Sequence, residues 1–163
     1  MNEVLLLLGS NKGDRLNFLN LALDRIDQIS LKTPVVSHIY ESEPWGFNSK
    51  TWFLNMAVSI QTDLSPLDLL DRLLEIESDL GRTRDPQATG YESREIDIDI
   101  ILFGEIVLEG ERLVIPHPRA HLRKFVLLPM SDIASDYTFP GSGKNICELL
   151  KDCPDKSDVQ LWR

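Results

Sequence analysis

The sequence predicts an α+β fold: an antiparallel sheet with helices packed on one face in the ferredoxin-like order β-α-β-β-α-β, then a C-terminal hairpin and helix appendage. Three observations predict it. Segments with the two-residue apolar period of a strand alternate with segments of 3.6-residue helical period in that order. Helix-start and turn residues stand at the joints between them. The length, 163 residues, suits one domain with a real core, so residues 1–163 are expected to form a single domain.

Val4 to Leu8 is a continuous apolar run, as in a buried strand, and it ends in the turn-rich Gly9-Ser10-Asn11-Lys12-Gly13-Asp14. Asp14 can cap a helix to about Ile29, in which Leu16, Leu19, Leu23 and Ile26 recur at helical spacing. Val35 to Tyr40 reads as a second strand. Phe53 to Thr62 reads as a third, with Leu54, Met56, Val58 and Ile60 on one face and Phe53 and Asn55 on the other. The next helix has Ser65 as N-cap, Pro66 at its first position and Gly81 past its end, with Leu67, Leu70, Leu74 and Ile76 as its apolar stripe. Residues 82–93 lack apolar periodicity and carry Pro and Gly, which predicts a long loop. The strand through Ile96–Phe103 follows. Ile106–Leu108 and Leu113–Ile115 flank Glu109–Arg112 as a hairpin, and helices around 124–133 and 145–150 close the chain.

Apolar residues make up 42% and charged residues 26%, an ordinary soluble composition. A formal charge of −9 argues against a nucleic-acid or membrane-surface binder, either of which needs a basic face. Yet six of the ten arginines fall between Arg82 and Arg123, so a local anion site fits an acidic protein. Cys147 and Cys153 have no metal-ligand spacing and suit a reduced, cytoplasmic protein. The short apolar run at Met1–Leu8 lacks a basic flank and a cleavage site and is read as a strand, not a leader.

Asp97 and Asp99 stand two apart on a strand whose other face is Ile96, Ile98 and Ile100. Their side chains share a face, with Cα atoms roughly 6–7 Å apart. Two readings fit: a solvated acidic face, or a site for a hard cation such as magnesium, which takes one or two carboxylates together with substrate phosphates. No GxxxxGK[ST] or GxGxxG cradle occurs. His117 and His121 have the spacing of a helical zinc pair, but Pro116 and Pro118 forbid a regular helix there and instead hold His117 in a rigid loop. Phe53 and Asn55 are either core and strand edge, or an aromatic plate beside an amide. The second arrangement, with Trp45 and Trp52 close by, suits a flat heteroaromatic ligand.

Ordered segments resemble one family across nearly the whole chain. They are Leu8-Gly9-Ser10-Asn11, Tyr40-Glu41-Ser42-Glu43-Pro44-Trp45-Gly46, Phe53-Leu54-Asn55, Ile76-Glu77 with Leu80-Gly81-Arg82, Ser93-Arg94-Glu95-Ile96-Asp97-Ile98-Asp99, and Arg112 to His117 followed by Arg123-Lys124-Phe125. The family is 6-hydroxymethyl-7,8-dihydropterin pyrophosphokinase, of folate biosynthesis. The resemblance implies transfer of pyrophosphate from ATP to the pterin hydroxymethyl oxygen with release of AMP, by a monomer. It implies two magnesium ions on Asp97 and Asp99, and phosphate contacts and catalysis from Arg82, Arg94 and His117. It also implies ATP contacts from Glu77, Arg84, Ile100, Arg112, Val114 and Arg123. Phe53 and Phe125 are expected to sandwich the pterin, with Asn55, Ser42, Glu43 and Trp45 beside it. Tyr91, Glu92 and Pro118 depart from the family pattern and leave the closing of the 82–93 loop open. Two other classes compete: a non-catalytic ferredoxin-like binding module, and a magnesium-dependent nucleotidyl cyclase or transferase. Neither needs Phe53, Asn55 and Phe125 to converge.

Overall fold

A computed structural model describes residues 1–81, 87 and 93–163. It is a mixed α/β structure with an antiparallel sheet and, among the described residues, four α-helices. The elements run β1 (Asn2–Ser10), α1 (Arg15–Asp27), β2 (Val35–Val36), β3 (Tyr40–Ser42), β4 (Phe53–Thr62), α2 (Pro66–Asp79) and β5 (Asp97–Phe103). There follow β6 (Leu108–Glu109), β7 (Val114–Ile115), a 3₁₀ turn at Ala120–Leu122, α3 (Lys124–Ala134), α4 (Ile146–Lys151) and β8 (Val159–Leu161). The main sheet is ordered β5-β1-β4-β3-β8, with β2 also on β4. Strands β6 and β7 form the expected hairpin as a separate two-stranded sheet.

Local chemistry sets the helix starts. Asp14 accepts from the Asn17 N–H at 3.1 Å, Ser65 accepts from Asp68 N–H at 3.2 Å, and Asn145 forms a reciprocal capping box with Glu148. Gly81 ends α2 at φ 93°, a conformation that a side chain would strain.

Both faces of the sheet are covered, where helices on one face were expected. Val4, Leu6 and Leu8 join Leu54, Met56, Val58, Ile60, Ile96, Ile98 and Ile100 in a core beneath α1 and α2. Leu5, Leu7, Ala57 and Ile101 face the other way, into a second core with Val126, Leu127 and Met130 of α3 and Ile146 and Leu149 of α4. A strand apolar on both faces needs a layer on each, and the unbroken run Val4–Leu8 is that signal.

Three further details differ from expectation. The strand expected at Val35–Tyr40 is two short ones, because the Ser37 hydroxyl accepts the Ala57 N–H (2.9 Å) and interrupts the ladder. The buried stripe of α2 is Leu69, Leu73 and Ile76, while Leu67 is 44% exposed. Strand β8 was not anticipated; it extends the sheet beyond β3. No helix among the described residues is long and apolar enough to cross a membrane.

Candidate active site

The site forms where β1 runs out. Register places Gly9 between Asn55 of β4 and Asp97 of β5, and Leu7 between Ala57 and Asp99. Side chains alternate across a strand, so Phe53, Asn55, Asp97 and Asp99 rise from the face opposite the α1/α2 core, at the end that α3 reaches only with its first turn. One cleft gathers them. Its floor is Leu7 and Gly9, one side holds Arg94, Asp97, Asp99 and His117, and the other holds Ser42, Glu43, Trp45, Phe47, Phe53 and Asn55. Arg123 and Phe125 complete it.

Several interactions fix this geometry. Asn55 Nδ2 donates to Ser42 Oγ at 2.7 Å, both residues being buried, so the amide is held on edge beside Phe53. Phe47 meets Phe53 edge-to-face, centroids 6.2 Å apart. Arg94 Nη1 lies 2.8 Å from Asp97 Oδ2, a cation beside one of the paired carboxylates. The buried Asn11 holds that arginine: its Oδ1 accepts from Arg94 N–H (2.8 Å), its own N–H donates to the Arg94 carbonyl (3.1 Å), and its Nδ2 reaches Ser93 Oγ (3.1 Å). Arg15 of α1 joins Glu41 (2.6 Å) to the Trp52 carbonyl (2.8 Å), tying the loop before β4 to β3.

His117 is fixed by its N–H bond to the Ile101 carbonyl (3.0 Å). Burial lowers its pKa to about 4, assisted by the charges of Arg123 and Arg119 and opposed by Asp97. The imidazole is therefore neutral, not cationic, at pH 7, with one ring nitrogen able to donate and the other to accept. Arg123 is buried, its guanidinium 4.4 Å over the Trp45 ring and 5.8 Å from the Phe125 ring.

A second cleft adjoins the first. It runs between Leu70 of α2, Ile98–Ile100 of β5 and Glu111–Val114 of the hairpin, with Pro118 at one end. Arg112 pairs with Asp71 of α2 and so tethers the hairpin over it. Asp99 and His117 line both clefts.

The residues singled out in the sequence fall into three groups. Ser42, Glu43, Trp45, Phe53, Asn55, Arg94, Asp97, Asp99, His117, Arg123 and Phe125 meet in the first cleft, and Ile100, Arg112 and Val114 line the second. Glu77 lines neither: it is buried, its Oε1 accepting the Ile98 N–H (2.8 Å). Arg82 and Arg84, like Tyr91 and Glu92, lie outside the described residues. Reasoning from sequence missed Leu7, Gly9 and Phe47 as cleft residues. A Cβ on Gly9 would meet Asn55 Oδ1 at 3.4 Å and Phe53 at 3.5 Å, so any longer side chain would occupy the floor. A glycine within a strand is itself a sign of close approach. Among the described residues no three His, Cys, Asp or Glu side chains converge as a metal cage; Asp97 and Asp99 offer two carboxylates on one open cleft.

Residues 5–135 match the family model described as 7,8-dihydro-6-hydroxymethylpterin-pyrophosphokinase. The chain is 43% identical to the Bacillus subtilis 2-amino-4-hydroxy-6-hydroxymethyldihydropteridine pyrophosphokinase, over 99% of this chain and 91% of that one. It is 39% identical to the Haemophilus influenzae protein of the same name, over 94% of each. Among solved structures it superposes on wild-type HPPK-DHPS of Plasmodium falciparum with a TM-score of 0.71 and 17% identity, covering 93% of this chain. It spans 44% of that longer chain, and the likeness concerns the fold.

Proposed function

The chain belongs to the 7,8-dihydro-6-hydroxymethylpterin-pyrophosphokinase family, and we propose that the two adjoining clefts hold its two substrates, with Asp97 and Asp99 at their junction. The protein is an ATP-dependent pyrophosphokinase of folate biosynthesis. It transfers the terminal pyrophosphoryl group of ATP to the hydroxymethyl oxygen of 6-hydroxymethyl-7,8-dihydropterin and releases AMP. The observation that carries the site assignment is that Asp99 and His117 line both clefts, so groups bound in the two meet at the paired carboxylates.

In this reading Phe53 and Phe125 flank the flat pterin, and Asn55, oriented by Ser42, reads its polar edge, with Glu43 and Trp45 adding contacts. The second cleft takes the nucleotide, with Ile100, Arg112 and Val114 along its wall. Arg94 and Arg123 present guanidinium forks to phosphate oxygens, and the neutral His117 donates a hydrogen bond without adding charge. Arg82 and Arg84 are assigned to the same phosphates by the family pattern. Glu77 acts on the nucleotide side through β5, whose Ile98 N–H it holds.

The donor set fits magnesium. Asp97 and Asp99 are oxygen-only ligands, half-buried and on one cleft, and magnesium takes one or two carboxylates with waters and phosphates, not a closed cage. Two such ions would neutralise the triphosphate and polarise it for attack. The chain's own residues do the rest by positioning. The hydroxymethyl oxygen is held in line with the β-phosphorus; the new O–P bond forms as the bond to the α,β-bridging oxygen breaks, AMP takes the electron pair and the hydroxyl proton is released.

We read the order β1-α1-(β2/β3)-β4-α2-β5, with sheet order β5-β1-β4-β3, as a ferredoxin-like core, and the hairpin, two helices and β8 beyond β5 as its appendage. We take residues 1–163 as one domain, acting as a monomer on small molecules, without nucleic acid or membrane. A reduced cytoplasmic setting suits its two free cysteines.

The test is direct. Protein incubated with ATP, magnesium and hydroxymethyl-dihydropterin should release AMP at a rate that depends on the pterin. Absence of AMP, or release of ADP or inorganic pyrophosphate in its place, would contradict the reading. The two competing classes give no reason for Phe53, Asn55 and Phe125 to share one cleft.

A further inference from the structure

Residues 155–161 lie beyond the span matched by the family model, yet they hold both walls of the first cleft. Helix α3 opens at Lys124, and the residue before it, Arg123, supplies no side-chain cap. The Lys124 N–H donates instead to Asp155 Oδ2 at 2.9 Å, from a segment 31 residues away in sequence. The other oxygen, Oδ1, accepts the Ser157 N–H at 2.9 Å, which fixes the carboxylate in place. Arg123 and Phe125, one on each side of the capped peptide, both line the cleft. On the opposite wall, Asp158 N–H donates to Glu43 Oε1 (2.8 Å) and Glu43 N–H to the Asp158 carbonyl (3.3 Å). Strand β8 then pairs with β3, Val159 opposite Ser42. The walls meet where the Arg123 guanidinium lies on Trp45.

A helix start without a capping acceptor leaves its first N–H groups to water and frays. Asp155 supplies that acceptor and adds a negative charge at the positive end of the helix. Burial pushes its carboxyl up, but hydrogen bonds from Ser157 and from the Lys124 N–H, with the Lys124 charge, outweigh this and hold it below its ordinary value, so it is ionised at neutral pH.

We infer that Asp155 is a positioning residue for the pterin: by capping α3 from outside the helix it fixes Phe125 and Arg123 against the wall that Asp158 and β8 hold. The inference rests on the assignment of the first cleft to the pterin. It is tested by steady-state kinetics and by equilibrium binding of the pterin without ATP, on the wild type, D155A, D155N and D152A. Asp152 is the control, an exposed carboxylate at the end of α4 that accepts from Lys144 Nζ (2.8 Å) and lines neither cleft. D155A should raise both the KM and the Kd for the pterin on the order of fivefold to tenfold, the equivalent of one lost cap, with kcat within about twofold. D155N, which keeps one acceptor oxygen, should recover at least part of that loss, and D152A should match the wild type. Should D155A fail to fold, D155N still tests the role, since losing one of two accepted bonds predicts a smaller rise in the same constants. Wild-type pterin affinity in D155A, or in D155N should D155A fail to fold, or an equal loss in D152A, overturns the inference. A wild-type chain that makes no pterin-dependent AMP overturns the functional reading itself, a separate and distinguishable outcome.

Discussion

At the scale of single residues, the site was legible where chemistry and strand period coincide. Asp97 and Asp99 alternate with isoleucines, so their shared face followed from the pleat alone. Phe53 and Asn55 followed likewise from β4. Gly9 did not, because a glycine after an apolar run also signals a turn, and only the neighbouring strands show that a side chain there would fill the floor. Nor did the charge state of His117 follow, since it depends on burial and on Arg123 and Arg119, which the fold brings near. That state has a consequence for stability. Its folded pKa, about 4, lies below the ordinary 6.5, so between those values the unfolded chain binds more protons. Stability therefore rises with pH across this window, is complete above about 6.5 and is lost as pH falls toward 4, by at most about 3 kcal/mol. Urea titrations of the ligand-free and metal-free protein at pH 4.5 and pH 7 should show this slope, and H117Q should reduce it. Equal slopes in both proteins would contradict a buried neutral imidazole.

At the scale of elements, punctuation was readable and phase was not. Ser65, Pro66 and Gly81 mark α2 correctly, but leucines at 67, 69, 70, 73 and 74 allow more than one stripe. Packing against β5 selects Leu69, Leu73 and Ile76 and turns Glu77 inward to the Ile98 N–H. β8 has three residues, one of them the polar Gln160, and only its partner β3 makes it a strand. The joints between elements depend on single polar groups. Asn11, at the end of β1, holds Arg94 through two backbone bonds and Ser93 through its amide. Replacing it with alanine strands the Arg94 N–H and removes the strut beneath the arginine that faces Asp97. N11A should lose about 1–3 kcal/mol of stability and roughly tenfold in kcat/KM. Thermal melts and steady-state kinetics check both, and a variant equal to wild type in kcat/KM would show that Arg94 keeps its place without Asn11.

At the scale of the whole molecule, the order of elements was legible and the layering was not. Helices were expected on one face, yet the apolar run Val4–Leu8 sends Leu5 and Leu7 into a second core under α3 and α4. That layer explains where the site lies. The face bearing Asp97 and Asp99 is apolar farther along, at Ile101, and covered there by α3; the cleft occupies the end where that cover stops. The sheet thus holds the carboxylates rigid from behind through Ile96, Ile98 and Ile100 while leaving them open in front. On this account neither aspartate contributes to packing, and both serve the reaction. The most direct test is the rate of pterin-dependent AMP release in magnesium by D97A and D99A, beside their denaturation midpoints. Each variant should fold with a midpoint close to wild type and lose activity by about a hundredfold or more. Wild-type turnover in either variant would contradict it.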